Sequence, residues 1–562
     1  MKKNTLLLTT SLFASFILNA QQPNRGLSHE MSNQERLLMN NYENTLSPSA
    51  APPKPVRSIA EFEPNEAAII SYSNGFGVPM SFIKDLSNSV KVIIVGAGSG
   101  SSVQSSLQSA GVNMSNCSFL NAAVDSWWAR DYTAWFVADG NNKVGIVDFK
   151  YDRPRANDDA VPVKQATYLN VPLYTMNLTQ TGGNYMSDGM GIAAATDLVT
   201  DENSISTAQI NQQMNDYLGI TKYMVIPDAQ GDYIKHIDCW GKFLAVDKVL
   251  IDSVPSSDPR YSNYQSAAAA FANTNCSYGY KYKVYRAFIQ SSKNGEPYSN
   301  SFICNDKVYL AFKGTSNDNA CLNVYKKAMP GYTIKGYMAS GSAPWYPTDA
   351  LHCRVHEIAD RRMLYIGHMP LFGKQCSSTG YKVNVDAVSY GGQNIKNGYP
   401  KVIYRVNNGT WDSIAMTSTG TNKYEASIPS QANGSTVQYF IRGIDVTGKL
   451  ANHPFIGEPD PHSFTVDCAT SIDPVKENST YFNTYPNPNH GDFYVYVNNV
   501  NNNPKAYLKI KNSLGQLVYD ETYDLRNGIS LKNINLTNVS KGMYFIEFRT
   551  DMETITQKMI IQ

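Results

Sequence analysis

The chain has 562 residues, of which 42% are hydrophobic and 17% charged, and its formal net charge is +1. This length exceeds what one hydrophobic core usually organises, so we expect several domains. The near-neutral charge argues against a nucleic-acid-binding surface, and no apolar run reaches the roughly 18 residues that a membrane-spanning helix needs.

The N-terminus is typical of an exported protein. Lys2 and Lys3 precede the apolar stretch LLLTTSLFASFIL, and the small residue Ala20 marks the end of a predicted signal peptide at 1–20. Residues 21–55 are rich in Asn, Ser, Gln and Pro. This composition predicts a flexible leader or propeptide, because it offers little apolar surface to pack.

Residues 56–373 show short β-branched runs that alternate with helical or loop stretches. Four runs are predicted as buried strands, at 90–98, 143–149, 242–251 and 307–312. A helix is predicted at 206–220, where a Ser/Thr cap precedes an amphipathic pattern. The alternation predicts an α/β catalytic domain.

The chain after residue 373 is predicted to be all-β. Residues 374–467 alternate apolar and polar positions between turn residues, which is typical of an immunoglobulin-like sandwich. Cys376 and Cys468 flank this segment, and we hypothesise that they form a disulfide. A polar linker follows at 468–480.

Residues 481–562 form a second predicted all-β unit. Its YPNP opening, its NSLG turn and its KGMY sequence near the end resemble the C-terminal sorting domain of the type IX secretion system. This resemblance implies the secretion machinery as a partner. It also implies a protein that is secreted or held at the outer-membrane surface.

Candidate chemistry lies in the α/β segment. Asp131 follows Arg130 in the aromatic stretch DSWWARDYTAWF, where a desolvated carboxylate needs a cationic partner. If YIKHIDCWGKF is a strand, His236 and Asp238 point to the same face. Such a pair can serve as an acid–base couple, as a satisfied core pair or as metal ligands.

Two further stretches carry reactive or charged side chains. Arg153 and Arg155 share one face if Pro154 keeps the chain extended, and two parallel guanidiniums suit a carboxylate or a phosphate. Cys353 stands between two histidines in TDALHCRVHE, a pattern open to metal ligation, core packing or a thiolate. No G-x-S-x-G or Walker lysine is present. A thiol with two carboxylates fits a planar cation as the electrophile.

Five motifs occur in the order of a known superfamily: WWARDY, TGGNYMSDG, HIDCWGKF, PYSNS and TDALHCRVHE. They resemble the guanidino-group-modifying enzymes, most closely the secreted bacterial peptidylarginine deiminases with an agmatine-deiminase-like catalytic domain. The resemblance implies a pseudo-fivefold α/β propeller. It also implies hydrolysis of peptidyl arginine, preferably C-terminal, to citrulline and ammonia through a cysteine-bound thiouronium, with no catalytic metal and no cofactor.

The resemblance also assigns roles to individual residues. Cys353 is implied as the nucleophile and His236 as the general acid and base. The remainder of the implied catalytic set comprises Asp131, Asp238 and Asn300. The implied substrate-binding residues are Arg153, Arg155, Trp128, Tyr233, Asp188 and Thr348.

Two alternatives remain open at this point. The first is a deiminase of small guanidines, such as agmatine or free arginine, although a paired arginine grip favours substrates that carry a carboxylate. The second is a surface adhesin whose α/β domain is catalytically inactive, since the all-β modules are compatible with a binding protein.

Overall fold

The computed structural model describes most of the chain in two compact units, Met1–Cys468 and Ala469–Gln562. The described residues are 27–39, 48–98, 100–468, 481–498, 505–524, 529–536, 538–551 and 554–562. The predicted signal peptide and nearly all of the predicted linker lie outside them. Among the helices described, none combines the length and apolar character needed to cross a membrane.

Strand pairing arranges the described part of residues 57–359 in five small sheets. Each sheet contains an antiparallel strand pair followed by a parallel neighbour. The strands, sheet by sheet, are Arg57–Ser58, Trp135–Ala138, Val144–Tyr151 and Leu173–Gln180; Met186–Ser187, Ile192–Thr196 and Lys222–Ile226; Gly241–Ala245, Lys248–Ser253 and Lys283–Phe288; Phe302–Cys304, Lys307–Phe312 and Thr333–Met338; Val355–Ala359, Asn65–Ser71, Lys91–Val95 and Cys117–Leu120. This recurring pattern indicates a repeated structural unit.

Helices provide several of the crossovers that parallel strands require. The α-helices described are Asn33–Met39, Met80–Ser87, Ser101–Ser109, Ala129–Tyr132, Ala156–Asp159, Val161–Leu169, Leu198–Asp201, Thr207–Leu218, Tyr261–Ala272 and Asn317–Ala328. Short 3-10 helices occur at Met114–Asn116, Gly182–Asn184, Ile237–Cys239 and His352–Arg354. The predicted helix at 206–220 is confirmed, with Ser206 and Gln209 forming a reciprocal capping box at its start.

The predicted strands in this body agree with the structure except at one place. The runs at 90–98, 143–149 and 307–312 each contain a strand with mostly buried residues. The prediction of one strand at 242–251 is wrong, because the segment forms two antiparallel strands around Val246 and Asp247. The turn has neither Gly nor Pro, so the apolar pattern gives no sign of it. In the structure, the Asp247 carboxylate at this turn accepts a hydrogen bond from Lys283 Nζ at 2.9 Å.

Two sheets follow the α/β body, and their strand pairs are antiparallel except for Gly373–Gln375 with His462–Val466, which is parallel. One contains Leu364–Gly367, Tyr381–Ser389, Lys423–Ile428 and Thr417–Gly420; the other contains Gly373–Gln375, His462–Val466, Thr436–Ile444, Lys401–Val406, Asp412–Ala415 and Leu450–His453. The first strand precedes the boundary predicted at 374, so the all-β region begins earlier than its sequence pattern indicates. The hypothesised Cys376–Cys468 disulfide is present.

Specific contacts join the two-sheet region to the α/β body. Phe455 lies 5.7 Å from Phe62 between ring centroids, and Asp460 forms an ion pair with the buried Lys248 ammonium. A cavity of about 320 Å³ lies at this junction, away from Cys353, and is lined by both parts. These contacts explain why the two parts form one compact unit.

The second unit consists of antiparallel strands. One sheet contains Tyr481–Tyr485, Asp492–Asn498 and Ile529–Asn535; the other contains Leu517–Asp524, Lys505–Asn512, Gly542–Arg549 and Thr554–Ile561. Alternating residues such as Leu508, Ile510, Ile546 and Phe548 are buried in a common core. This arrangement agrees with the predicted all-β tail.

The leader differs from its prediction. Residues 27–39 include the helix Asn33–Met39, and Ser49 N donates to Thr175 O at 3.1 Å. The prediction that the leader does not pack is therefore wrong for its described parts. The physical reason is that hydrogen bonds, an ion pair and one ring stack hold these parts, so a low apolar content does not prevent their packing.

Candidate active site

The candidate site contains Cys353, whose side chain is completely buried. It lies on the 3-10 helix His352–Arg354, directly before the buried strand Val355–Ala359. Asn300 Nδ2 donates to Cys353 Sγ at 3.2 Å, and Asn300 Oδ1 accepts from the Cys353 backbone N–H at 3.3 Å. The sulfur is also 3.7 Å from Asp238 Oδ2. The sulfur therefore lies beside one amide donor and one carboxylate.

Asp238 is held in place by a buried polar network. Its Oδ2 is 2.7 Å from His352 Nδ1, and His352 Nε2 is 2.9 Å from Glu61 Oε2. Lys242 Nζ forms an ion pair with the same Glu61 oxygen at 2.5 Å. Burial alone raises the pKa of Glu61, but the charges of Lys242 and His352 outweigh it and hold the pKa at about 2. Glu61 is therefore a fixed anion that orients His352 toward Asp238.

His236 has neither ring nitrogen in a hydrogen bond to another described residue. It is buried, and its Nδ1 lies 3.7 Å from Asp131 Oδ1. The prediction that His236 and Asp238 share one face of a strand is wrong, since His236 is the N-cap of the 3-10 helix Ile237–Cys239. The preceding residue, Lys235, has a φ of 50°, which is uncommon for a residue with a side chain.

The glycines of TGGNY allow His236 and Asp131 to approach the chain. A Cβ atom at Gly183 would clash with His236 Nδ1 and would lie 2.8 Å from Asp131 Oδ1. Asn184 then connects the loop to the next segment, because its Oδ1 accepts from Ile237 N at 3.3 Å and from Thr196 N at 2.9 Å. The motif therefore positions the imidazole and the carboxylate together.

A residue of the leader lies inside the same site. His29 Nε2 is 2.7 Å from Asp131 Oδ2, and His29 Nδ1 is 3.1 Å from the carbonyl oxygen of Thr348. The imidazole stacks on Trp128 with ring centroids 4.4 Å apart and planes inclined by 8°. It also meets the His236 ring edge-on at 5.8 Å. No sequence pattern indicated His29 as a site residue.

The two predicted arginines have different partners. Arg155 Nε donates to Glu35 Oε1 at 2.9 Å, whereas Arg153 Nη1 donates to Asp152 Oδ2 at 2.5 Å. Both are buried. The predicted extended geometry is wrong, because Arg155 N donates to Arg153 O across a tight turn at Pro154. Proline fixes its own φ but does not prevent this turn.

The remaining predicted binding residues fall into two groups. Trp128, Tyr233 and Thr348 lie together at the site: Tyr233 OH is 3.5 Å from Thr348 Oγ1, and Trp128 and Thr348 both contact His29. Asp188 instead accepts from Met190 N at 2.8 Å and Ile192 N at 2.9 Å, and also from the Ser277 hydroxyl. These bonds anchor loops, and the substrate role of Asp188 stays a prediction.

The thiol and the imidazole are both uncharged at neutral pH. Burial raises the pKa of the Cys353 thiol to about 11, and the carboxylates of Asp238 and Asp131 add to the shift. Burial lowers the pKa of His236 well below 6.5 and outweighs the opposing charge of Asp238. The site therefore needs an additional positive charge to form a thiolate.

Three side chains in this site have the composition of a metal site. Ligand atoms of His29, Asp131 and His236 all lie within 4.8 Å of one another. His29 and Asp131 are already in direct hydrogen-bond contact at 2.7 Å. The expectation of a metal-free reaction stays a prediction.

Several site residues have weak signals in the sequence. Glu35 lies in the pattern Ser32-x-x-Glu35, and the two residues form a capping box with bonds of 2.8 and 3.1 Å. That pattern predicts a helix start and says nothing about Arg155. Glu61 and Lys242 have no local signature, since their partners are distant in the chain.

Two family models match the chain. A model of the Porphyromonas-type peptidyl-arginine deiminase matches residues 60–357, and a model of the secretion system C-terminal sorting domain matches residues 483–562. The sorting domain indicates export to the cell surface or secretion, and it implies the type IX secretion machinery as a partner.

Curated proteins and solved structures give distant similarities. A Yersinia pestis protein named as an agmatine deiminase is 23% identical over 264 residues, covering 40% of this chain and 72% of that protein. A Streptomyces coelicolor protein of the same name is 24% identical over 238 residues, with coverages of 38% and 70%.

Two solved structures can be compared with this chain. The agmatine deiminase of Enterococcus faecalis has 19% identity and a TM-score of 0.49, covering 56% of this chain and 98% of its own. A protein named as an agmatine deiminase in its X-ray structure has 16% identity and a TM-score of 0.50, covering 54% and 96%. The latter similarity shows a shared fold.

Proposed function

Because the chain belongs to the Porphyromonas-type peptidyl-arginine deiminase family, we propose that it converts C-terminal arginine residues of peptides to citrulline. The observation that carries this proposal is the occupancy of the site by two kinds of group. Asp131 contacts a nitrogen of the planar His29 ring, while Arg155 binds the Glu35 carboxylate. A C-terminal arginine presents both a planar guanidinium and a carboxylate.

The proposed reaction has two steps. The Cys353 sulfur adds to the guanidinium carbon, a C–N bond breaks, and His236 transfers a proton to the departing ammonia. Water, deprotonated by His236, then attacks the S-alkylthiouronium carbon, and the C–S bond breaks to regenerate the thiol. The products are the ureido group of citrulline and ammonia, so that one water is consumed in each turnover.

The charge of the substrate itself activates the thiol in this proposal. A guanidinium placed between Asp131 and Asp238 brings a positive charge close to Cys353, which offsets the burial that raises the thiol pKa. The thiol proton passes to His236, which has both nitrogens free of described hydrogen bonds. Asn300 donates to the sulfur and stabilises its negative charge.

We further propose that the five sheets close into a pseudo-fivefold α/β propeller with the site at its axis. The shared strand pattern of the five sheets supports this arrangement. The two-sheet region after it is proposed to be immunoglobulin-like, which its mostly antiparallel pairing supports.

The second candidate function is deimination of a small guanidine such as agmatine. The observation that favours it is that the curated relatives are named as agmatine deiminases. Agmatine has no carboxylate, so it makes no use of Arg155. The contact between Arg155 and a carboxylate therefore favours a substrate with a carboxylate over agmatine.

An assay of ammonia release tests the proposal with three substrates: a peptide ending in arginine, the same peptide amidated, and agmatine. The assay uses a Glu35→Gln chain, because the Glu35 carboxylate is paired with Arg155 in the structure. We expect the free-acid peptide to exceed the amidated one in kcat/KM by at least roughly tenfold, since a buried charge pair contributes that much. Equal rates on both peptides would contradict the peptide-carboxylate assignment.

Separate substitutions of two free cysteines provide the controls for this assay. Cys353→Ala is expected to abolish citrulline formation, because it removes the nucleophile. Cys117→Ala changes a half-buried cysteine on the strand Cys117–Leu120, at the far edge of the sheet that contains Val355–Ala359, and is expected to keep the activity. Citrulline formation by Cys353→Ala would remove the proposed mechanism, and an adhesin without activity would yield no citrulline from any variant.

A further inference from the structure

The leader segment 27–39 places His29 at Asp131 and Glu35 at Arg155, the two positions proposed to bind the substrate guanidinium and the substrate carboxylate. His29 is 5% exposed and occupies the space between Trp128 and His236. Its Nε2 contacts Asp131 Oδ2 at 2.7 Å, which is the carboxylate proposed to bind the guanidinium. A substrate guanidinium and this imidazole therefore compete for the same oxygen and the same aromatic face.

The second group is the Glu35 carboxylate. Its Oε1 accepts from Arg155 Nε at 2.9 Å, while its Oε2 accepts from the Ser32 backbone N–H at 2.8 Å. The ion pair is shielded, with side-chain exposures of 2% for Arg155 and 12% for Glu35. The capping box thus fixes the carboxylate toward Arg155, where a substrate carboxylate would bind.

A backbone contact completes the attachment. Arg155 Nη2 donates to the Ser28 carbonyl oxygen at 2.9 Å. The Arg155 guanidinium therefore binds the leader both before His29, at Ser28, and after it, at Glu35. Arg155 also lies 5.1 Å from the Trp128 ring, on which His29 stacks. The imidazole, the carboxylate and the intervening backbone therefore form one continuous ligand.

The helix Asn33–Met39 has no buried residue, so apolar packing does not hold the leader in place. Segment 27–39 is attached at the substrate site by the hydrogen bonds of Ser28, His29 and Glu35 and by the stacking of His29 on Trp128. A segment that served only as a tether would have no need to bind Asp131 and Arg155.

We propose that residues 27–39 are an intramolecular, substrate-like ligand that keeps the enzyme latent until the leader is displaced or removed. His29 substitutes for the guanidinium at Asp131, and Glu35 substitutes for the terminal carboxylate at Arg155. This proposal rests on the proposed function for its physiological meaning. The occupancy of the site by the leader is measured independently of the reaction.

The test compares full-length wild type with His29→Ala and Glu35→Gln. The matched control is Glu30→Gln, which changes a leader glutamate whose ion pair with Arg36 is exposed. The first measurement is the rate at which iodoacetamide alkylates Cys353, resolved by mass spectrometry from the other cysteines. We expect both site-facing variants to react at least roughly tenfold faster, because each loses a buried polar contact, and the control to match wild type.

The second measurement adds a synthetic peptide of residues 27–39 to the His29→Ala chain. The peptide is expected to slow alkylation and to inhibit citrulline formation competitively. A peptide carrying both His29→Ala and Glu35→Gln is expected to be at least roughly tenfold weaker, since it lacks both contacts.

The possible outcomes separate the two proposals. Alkylation rates that are equal in wild type, His29→Ala and Glu35→Gln would overturn the latency proposal, as would a peptide that has no effect. Faster alkylation in both variants, with no citrulline from any of them, would support the leader as a ligand and reject the deiminase assignment.

Discussion

The side chain of Asn300 contacts Cys353 at two points. Its Nδ2 donates to the sulfur at 3.2 Å, and its Oδ1 accepts the Cys353 backbone N–H at 3.3 Å. The same oxygen accepts from His352 N at 2.9 Å. One amide therefore fixes the backbone that carries the thiol and also provides a hydrogen bond to the sulfur as it gains charge.

Asn300→Ala is expected to lower kcat by about a hundredfold with a smaller effect on KM, because the lost donor acts mainly on the charged sulfur. Steady-state kinetics in the Glu35→Gln background measures this change. Asn294→Ala, at an exposed asparagine on the preceding loop, serves as the control. A KM effect larger than the kcat effect would show that Asn300 acts on substrate binding instead.

His352 is expected to act as a positioning residue for Asp238. His352→Ala removes the connection from Glu61 to Asp238 and should lower kcat/KM by roughly tenfold to a hundredfold, since it frees a carboxylate that must face the substrate. His352→Gln retains a side-chain donor and should recover part of the loss. A purely structural role predicts equal losses for both variants together with equal losses in Tm.

Sequence patterns predicted much of the fold where the signal is local. The helix at Thr207–Leu218 was predictable because its capping box and its apolar spacing lie within the same segment. The hairpin at 241–253 was not, because its turn has no Gly or Pro and both arms are apolar. Local composition also misjudged the leader, whose attachment depends on a few polar contacts and not on apolar area.

The candidate site was harder to predict than the fold, because most of its contacts join residues that are far apart in the sequence. The motifs predicted Cys353 as a site residue and the resemblance implied its partners, and these roles stay predictions; Asp188 has contacts elsewhere. The network behind Asp238 was not predictable, because His352 and Glu61 are 291 positions apart. His29 and Thr348 are 319 positions apart, and neither periodicity nor spacing reports contacts over such distances.

The two arginines are expected to differ in their effect on substrate binding. In a Glu35→Gln chain, Arg155→Gln should raise KM for a peptide with a free C-terminal arginine by at least roughly tenfold, because it removes the partner of the carboxylate. The amidated peptide should show no comparable change. Arg153→Gln should affect KM less, since its guanidinium is paired with Asp152. Equal KM increases from both variants would instead support a shared grip.

The reactivity of Cys353 is expected to rise steadily with pH in the absence of substrate. With a thiol pKa of about 11, the thiolate fraction at lower pH increases about tenfold per pH unit. Wild-type alkylation by iodoacetamide should therefore climb from pH 7 to pH 9.5 without a plateau. A plateau below pH 9 would contradict a neutral resting thiol and would indicate a preformed thiolate.

The buried histidines of the two-sheet region are expected to make the protein less stable in acid. His368 Nδ1 lies 2.7 Å from the Asn384 carbonyl oxygen and Nε2 lies 2.9 Å from Tyr439 OH, and burial lowers its pKa from 6.5 to about 4. Above pH 6.5 the folded and unfolded forms are both neutral, so this group has no effect. Below pH 6.5 the unfolded chain binds a proton that the folded chain does not.

The free energy of unfolding should therefore fall by about 3 kcal/mol through His368 alone as the pH decreases from 6.5 to 4, and this loss should level off below pH 4. Calorimetric Tm values at pH 7 and pH 4.5 measure the effect. His368→Gln should lower Tm at pH 7 and yet show a smaller further decrease at pH 4.5 than wild type. His490→Gln, at an exposed histidine of the tail, should retain the wild-type difference. An undiminished difference in His368→Gln would show that other groups cause the acid sensitivity.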